Sequence, residues 1–161
     1  MIAIIFIFLV SFILESLVPN LIKDFIPFFI IGPIIISYLL INDRKKLFKI
    51  IFIVGISYDL LYTNLVIFHA FMFIFLLWLV KVVVKDSKNF LIILFSYFLL
   101  IIIYSIIMYL FSSICTNISI LKVINVLFNS LLLNLIYFIF IYMIFIGIKC
   151  LICNITKKRT Y

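Results

Sequence analysis

The sequence predicts an all-α, polytopic integral membrane protein, and three features carry that prediction. First, 70% of its 161 residues are hydrophobic and only 11% are charged. Soluble domains carry about 45–50% apolar and roughly 25% charged residues. Second, the apolar residues fall into six runs, several of them close to the ~20 residues that cross a bilayer as a helix. Third, the cations are clustered. Eleven of the thirteen Lys and Arg residues lie at Arg44, Lys45, Lys46 and Lys49, at Lys81, Lys85 and Lys88, and at Lys149, Lys157, Lys158 and Arg159. A single transmembrane domain over residues 1–161 is expected, with no soluble module.

The first run, Ile2–Val18, ends at Pro19-Asn20 and is expected to be the first membrane helix. It lacks the basic start and the small-residue cleavage site of a signal peptide. The second, Phe25–Ile41, has Pro27 near its start, where proline is tolerated, and Gly32-Pro33 within it, where a kink is expected. The third, Leu47–Tyr62, has about 16 residues, or ~24 Å of helix against a ~30 Å hydrocarbon core. It either spans incompletely or forms a re-entrant hairpin with the fourth, Leu65–Val84. The fifth is Phe90–Phe111. The sixth, Leu121–Ile148, is long enough to tilt or to extend past the membrane.

The net charge of +8 is compatible with nucleic acid, but the cations flank apolar runs and mark cytoplasmic loops instead. Attraction to anionic lipid headgroups follows as a secondary effect. With the Asn42–Lys49 and Lys81–Lys88 loops and the C-terminus inside, six crossings put both termini in the cytoplasm. Trp78 and Tyr109 then sit where interfacial anchors belong. No close glycine-mediated packing motif is present. Cys115 stands alone, and Cys150-Leu-Ile-Cys153 reads as two small residues at a helix end, with no metal implied. Asn117-Ile-Ser119 and Asn154-Ile-Thr156 match the glycosylation pattern, which is common by chance.

An ionised group at the bilayer centre is unfavourable by roughly 2.5–3.5 kcal/mol, so those kept inside helices are informative. Three qualify: Glu15, Asp59 and His69. Asp59 lies four residues before Thr63 and His69 six after it, about 6 and 9 Å below the turn. Both are expected in the outer half of the membrane, within reach of each other across the hairpin. Gly55, one helical turn below Asp59 on the same face, offers a point of close approach. The cluster serves packing, or binds a partner helix or small ligand. A proton relay would need more polar groups in the inner half than the chain has. No catalytic triad motif, metal-binding His pair or phosphate loop is present, so neither enzyme chemistry nor a cofactor is predicted. Asn125, Asn129 and Asn134 suggest a polar seam packing the sixth helix into the bundle. Tyr97 and Tyr104, seven apart, suggest a matching seam on the fifth.

The stretch Gly55, Asp59-Leu60-Leu61, Tyr62-Thr63-Asn64 and His69-Ala70 resembles a pattern of the MreD family of rod shape-determining proteins. Leu14-Glu15-Ser16-Leu17-Val18-Pro19 resembles the family's end to helix 1, and the Pro27-containing start of the second run also fits. The resemblance covers Leu14 to Lys81. Thr63, Asn64 and Ile67 stand where the family usually has glycines, and Glu15 where an amide is usual. The resemblance implies a non-enzymatic scaffold of lateral peptidoglycan synthesis in the bacterial inner membrane. It would pair with an MreC-like single-pass protein and, through it, with MreB and the peptidoglycan synthases. That family is also similar to the vitamin-binding subunits of energy-coupling-factor transporters, which gives the alternative of a small-molecule-binding membrane subunit.

Overall fold

The computed structural model describes residues 2–22, 25–63, 67–85, 87, 89–115 and 120–158. Side chains of the last helix are described as far as Gly147, so Cys150, Cys153 and the Asn154 sequon lie outside the described side chains. Those of Cys115, Asn117 and Asn64 lie outside them too. Six helices follow one another with no strand among the described residues: α1 (Ile2–Leu21), α2 (Ile31–Leu40), α3 (Arg44–Tyr62), α4 (Phe68–Val84), α5 (Phe90–Cys115) and α6 (Ile120–Lys158).

Three helical segments are long and apolar enough to cross a membrane: Ala3–Leu21, Phe90–Ser113 and Ile124–Gly147. The surface agrees with a membrane solvent. Phe6, Leu9 and Ile13 of α1, Leu91 and Phe95 of α5, and Phe128, Leu132, Ile136 and Phe140 of α6 all point outward. Meanwhile Ser11, Ser96, Ser130, Asn134, Asp59 and His69 are buried. A soluble protein distributes these groups the other way, because water rewards exposed polar atoms and penalises exposed apolar ones.

The shortest helix is the hub. Every residue of α2 from Ile31 to Tyr38 is buried, and α1, α3, α4, α5 and α6 all pack on it. Its continuous apolar run, Ile-Gly-Pro-Ile-Ile-Ile-Ser-Tyr, has no face that meets solvent. The expected kink at Gly32-Pro33 is absent. The helix begins only at Ile31, so Pro33 falls in the first turn, where a missing N–H is harmless. The stretch before it, 25–30, is non-helical, with Phe25 and Phe28 to Ile30 buried and Ile26 exposed. Irregular backbone is tolerated at membrane depth only when the protein satisfies it. Here α6 does so: Phe28 N donates to Asn134 Oδ1 (2.8 Å), Asn134 Nδ2 donates to Ile26 O (3.1 Å), and Ile26 N donates to Ser130 Oγ (2.9 Å).

Other boundaries move for local reasons. α1 runs through Pro19 to Leu21. The backbone donor is lost in its last turns, where Asn20 Nδ2 turns back to Ser16 O at 3.0 Å. α3 starts at Arg44 because Asp43 caps it, accepting from Lys45 N and Lys46 N. The basic residues thus form its first turn, and its 19 residues reach about 28 Å. α6 has 39 residues, about 58 Å of helix, well beyond a ~30 Å core.

The polar seam of α6 differs from its expected position. Asn134 is buried, whereas Asn125 and Asn129 are exposed. Five residues separate Asn129 from Asn134, a turn of about 140° at 3.6 residues per turn, so they cannot share a face. The buried line is Ser130, Asn134, Tyr137, Phe138 and Ile141. It meets α5 where Tyr97 stacks on Phe138 at 4.1 Å and donates to Asn134 O at 3.0 Å. It meets α1 where the Ser11 and Tyr137 hydroxyls lie 2.6 Å apart.

Asn134→Leu is expected to leave the Phe28 N–H and the Ile26 carbonyl without partners, lowering stability by about 2–6 kcal/mol at roughly 1–3 per orphaned group. Thermal unfolding in detergent against the wild type measures it.

Candidate functional site

Two ends of the bundle differ in character. One carries Arg44 and Lys85 and is called the basic end. The other carries the α3–α4 turn and is called the hairpin end. Asp59, His69, Gly55 and Glu15 all lie inside the hairpin half, and all are buried.

The hairpin closes because Gly55 has no side chain. A Cβ there would lie 2.3 Å from Ala70 Cα and 2.9 Å from His69 O, both of them backbone atoms. The two helices therefore touch main chain to main chain. That contact brings the first turn of α4 beside the last turn of α3, where Asp59 projects into it. Asp59 Oδ2 accepts from His69 N (2.9 Å), serving an N-terminal amide of α4 that its own N-cap, Ile67, leaves without a side-chain partner. A carboxylate at a helix N-terminus is also favoured by the helix dipole. The other oxygen accepts from Thr63 Oγ1 (2.8 Å) and from the His69 ring (2.6 Å). An ionised carboxylate only accepts, so the proton sits on His69 Nδ1. Nε2 then accepts from the Tyr104 hydroxyl of α5 at 3.1 Å.

The network continues toward α1. The Tyr58 hydroxyl lies within interaction range of both the Tyr104 hydroxyl and the Glu15 carboxyl. Glu15 Oε2 is buried with no partner among the described residues. Aromatic rings enclose the chain of groups: the His69 ring lies 4.6 Å from Tyr58 and 5.8 Å from Phe73. Phe12 stacks on Tyr62, and the Tyr62 hydroxyl donates to Phe12 O. Asp59, His69 and Tyr104 thus tie three helices together, and Tyr58 and Glu15 reach the fourth.

Chemically, both ring nitrogens of His69 are engaged and the residue is 1% exposed, so neither a metal nor a substrate reaches it in this arrangement. No cluster of three or more His, Cys, Asp or Glu side chains able to hold a metal occurs among the described residues. The residues that sequence reasoning passed over are Tyr58 and Tyr104. Tyr58 is the neighbour of Asp59 in sequence. Of the expected seam, Tyr97 hydrogen-bonds to α6, whereas the Tyr104 hydroxyl turns to His69. Beside the network, Tyr58, Tyr104, Ser105, Met108 and Phe28 line a cavity of about 310 Å³. Ser105 Oγ is buried there with no partner among the described residues.

The chain matches no protein-family model, no curated protein and no solved structure. Its reading rests on its own geometry.

One backbone angle bears on the glycine positions. Ile67 has φ 70° and ψ 0°, the left-handed region that a β-branched residue enters only under strain. It is one of the three places where the MreD-like pattern usually has glycine. The Asp59 clamp on His69, two residues on, holds the turn in that shape.

Ile67→Gly is therefore expected to stabilise the protein by about 1 kcal/mol, the left-handed penalty less the added freedom of the unfolded chain. A higher midpoint of thermal unfolding is the readout. Asp59→Ala is expected to destabilise by roughly 2–5 kcal/mol, since it strands the His69 N–H and the His69 ring proton in an apolar interior. Tyr104→Phe removes only neutral hydrogen bonds, to His69 and to Tyr58, and is expected to lower stability by about 1–3 kcal/mol, less than Asp59→Ala. Equal losses for the two variants would contradict the clamp.

Proposed function

We propose that this protein is a non-enzymatic membrane scaffold of the MreD type in the bacterial inner membrane. In this reading it crosses six times with both termini in the cytoplasm. It binds an MreC-like single-pass protein and so serves the cell-elongation machinery that builds lateral peptidoglycan. The observation that carries it is how the polar cluster is used. Asp59 and His69 spend their hydrogen-bonding capacity on α3, α4 and α5, which fixes the hairpin tip instead of presenting chemistry to a substrate. What the fixed tip presents is apolar: Leu60 and Leu61 of α3 and Leu17 and Leu21 of α1 are more than half exposed. A rigid apolar face at the hairpin end suits a partner's membrane helix, and Gly55, Asp59, His69 and Glu15 shape it from within. The alternating directions of the helices support the topology: α1, α3 and α5 end at the hairpin end, and α2, α4 and α6 end at the basic end.

A second reading has an observation of its own. The 310 Å³ cavity beside Tyr58 and Tyr104 is at the small end of ligand-pocket volumes, about 300–1,000 Å³. It favours a small-molecule-binding membrane subunit of the energy-coupling-factor type, with a vitamin-like ligand.

Co-expression with an MreC-like partner followed by affinity recovery tests the first reading. Wild type is expected to retain the partner, and Asp59→Ala to lose most of it. Unchanged recovery removes the role given to the clamp. Mass spectrometry of the same purified sample decides the alternative: a retained compound of a few hundred daltons would favour vitamin binding, and an empty protein the scaffold.

A further inference from the structure

At the basic end, α2, α4, α5 and α6 leave a second cavity, of about 490 Å³. Its polar lining is Tyr38, Asn42, Arg44, Lys85, Ser87 and Tyr142, with no acidic residue among the described lining groups. We propose that this cleft binds the phosphate headgroup of an anionic phospholipid in the adjoining leaflet. The inference depends on the membrane class and is independent of the scaffold role.

Tyr38 organises the site. Its carbonyl accepts from Arg44 Nη1 at 3.3 Å, and its ring lies 4.1 Å beneath the guanidinium carbon. Its hydroxyl donates to Lys85 O at 3.1 Å. One tyrosine at the end of the buried hub helix thus holds the guanidinium at the start of α3 and the main chain of Lys85 at the end of α4. A guanidinium has five N–H donors in a planar fork, so most of its donors remain for a phosphate, which it matches in geometry. Lys85 is held in a strained conformation, φ 49° and ψ −121°. Residues in such regions persist where their surroundings over-determine them, which happens at ligand sites. The Ser87 hydroxyl accepts from Asn89 N at 3.3 Å and keeps its own proton to donate. The nearest described acid, Asp43, is turned away onto the amides of Lys45 and Lys46.

The apolar part of the cleft distinguishes a lipid from a free phosphate. Ile93 and Phe145 are buried in its wall, while Ile146 at its rim is 46% exposed and continues the outward face of Met143 and Ile144. A phosphate held by Arg44 and Lys85 would leave its acyl chains running down that face. Basic pockets between membrane helices at the cytoplasmic surface are a recurring form of headgroup site.

Native mass spectrometry of the full chain in detergent, with equal phosphatidylglycerol and phosphatidylcholine, tests the proposal. Wild type is expected to retain phosphatidylglycerol over phosphatidylcholine by roughly 25-fold, about fivefold for each of the two cations. Arg44→Gln with Lys85→Gln is expected to abolish the preference. Lys49→Gln, which removes an exposed cation of α3 outside the cleft, is expected to keep it. Arg44→Lys with Lys85→Arg, which conserves charge, is expected to retain most of it and covers the case in which the neutral variant fails to fold. Equal retention of both lipids by wild type, or a preference surviving in the neutral variant, overturns the site. Displacement of phosphatidylglycerol by millimolar inorganic phosphate would assign the same groups to a soluble phosphate and overturn the lipid.

Discussion

A bilayer offers no hydrogen bonds, so each break in a helix at membrane depth must be satisfied by the chain itself. Two of the interruptions between helices in its first seventy residues, before α2 and before α4, are met by buried polar side chains, and the rest of the packing is arranged around these two repairs. Asn134 repairs the first, meeting an amide and a carbonyl of the irregular stretch with one side chain. Asp59 repairs the second, meeting an amide of α4 while also holding Thr63 and His69. Each repair uses a residue that is unfavourable in hydrocarbon, and each therefore sits in the interior.

The two repairs act through one element. α2 is buried on all sides, so the helices that receive the repaired segments all rest against it. Its N-terminal approach is held by α6, and its C-terminal Tyr38 reaches Arg44 of α3 and Lys85 of α4. A ten-residue helix thereby links the hairpin half of the molecule to the cation-lined cleft. The Gly55–Ala70 contact supports this arrangement by bringing α3 and α4 close enough for Asp59 to reach across.

Much of this was legible in the residues alone. The all-helical class follows from composition. The meeting of Asp59 with His69 follows from their similar depth on either side of a short turn, and the close approach at Gly55 from its place one turn below the acid. What escaped was of two kinds. The start of α2 at Ile31 escaped because residues 25–30 are as apolar as a helix, and only the distant Asn134 makes their irregular backbone possible. The roles of Tyr58 and Tyr104 escaped because tyrosines are frequent here, nine in all, and nothing in their spacing tells which will face the histidine on the neighbouring helix. The Asn125 and Asn129 assignment failed for a simpler reason: three asparagines looked like one seam, although the last is rotated off the face of the others.

The bond between Phe28 and Asn134 joins residues 106 positions apart. Chains grow at about 5–20 residues per second, so roughly 5–20 s pass between the synthesis of one partner and that of the other. Through that interval the irregular stretch before α2 lacks the side chain that completes it, and it has to be kept in water or in the insertion machinery. The asparagine is thus among the last parts of the fold to arrive, and the first half of the protein reaches its final packing only after the last helix is made.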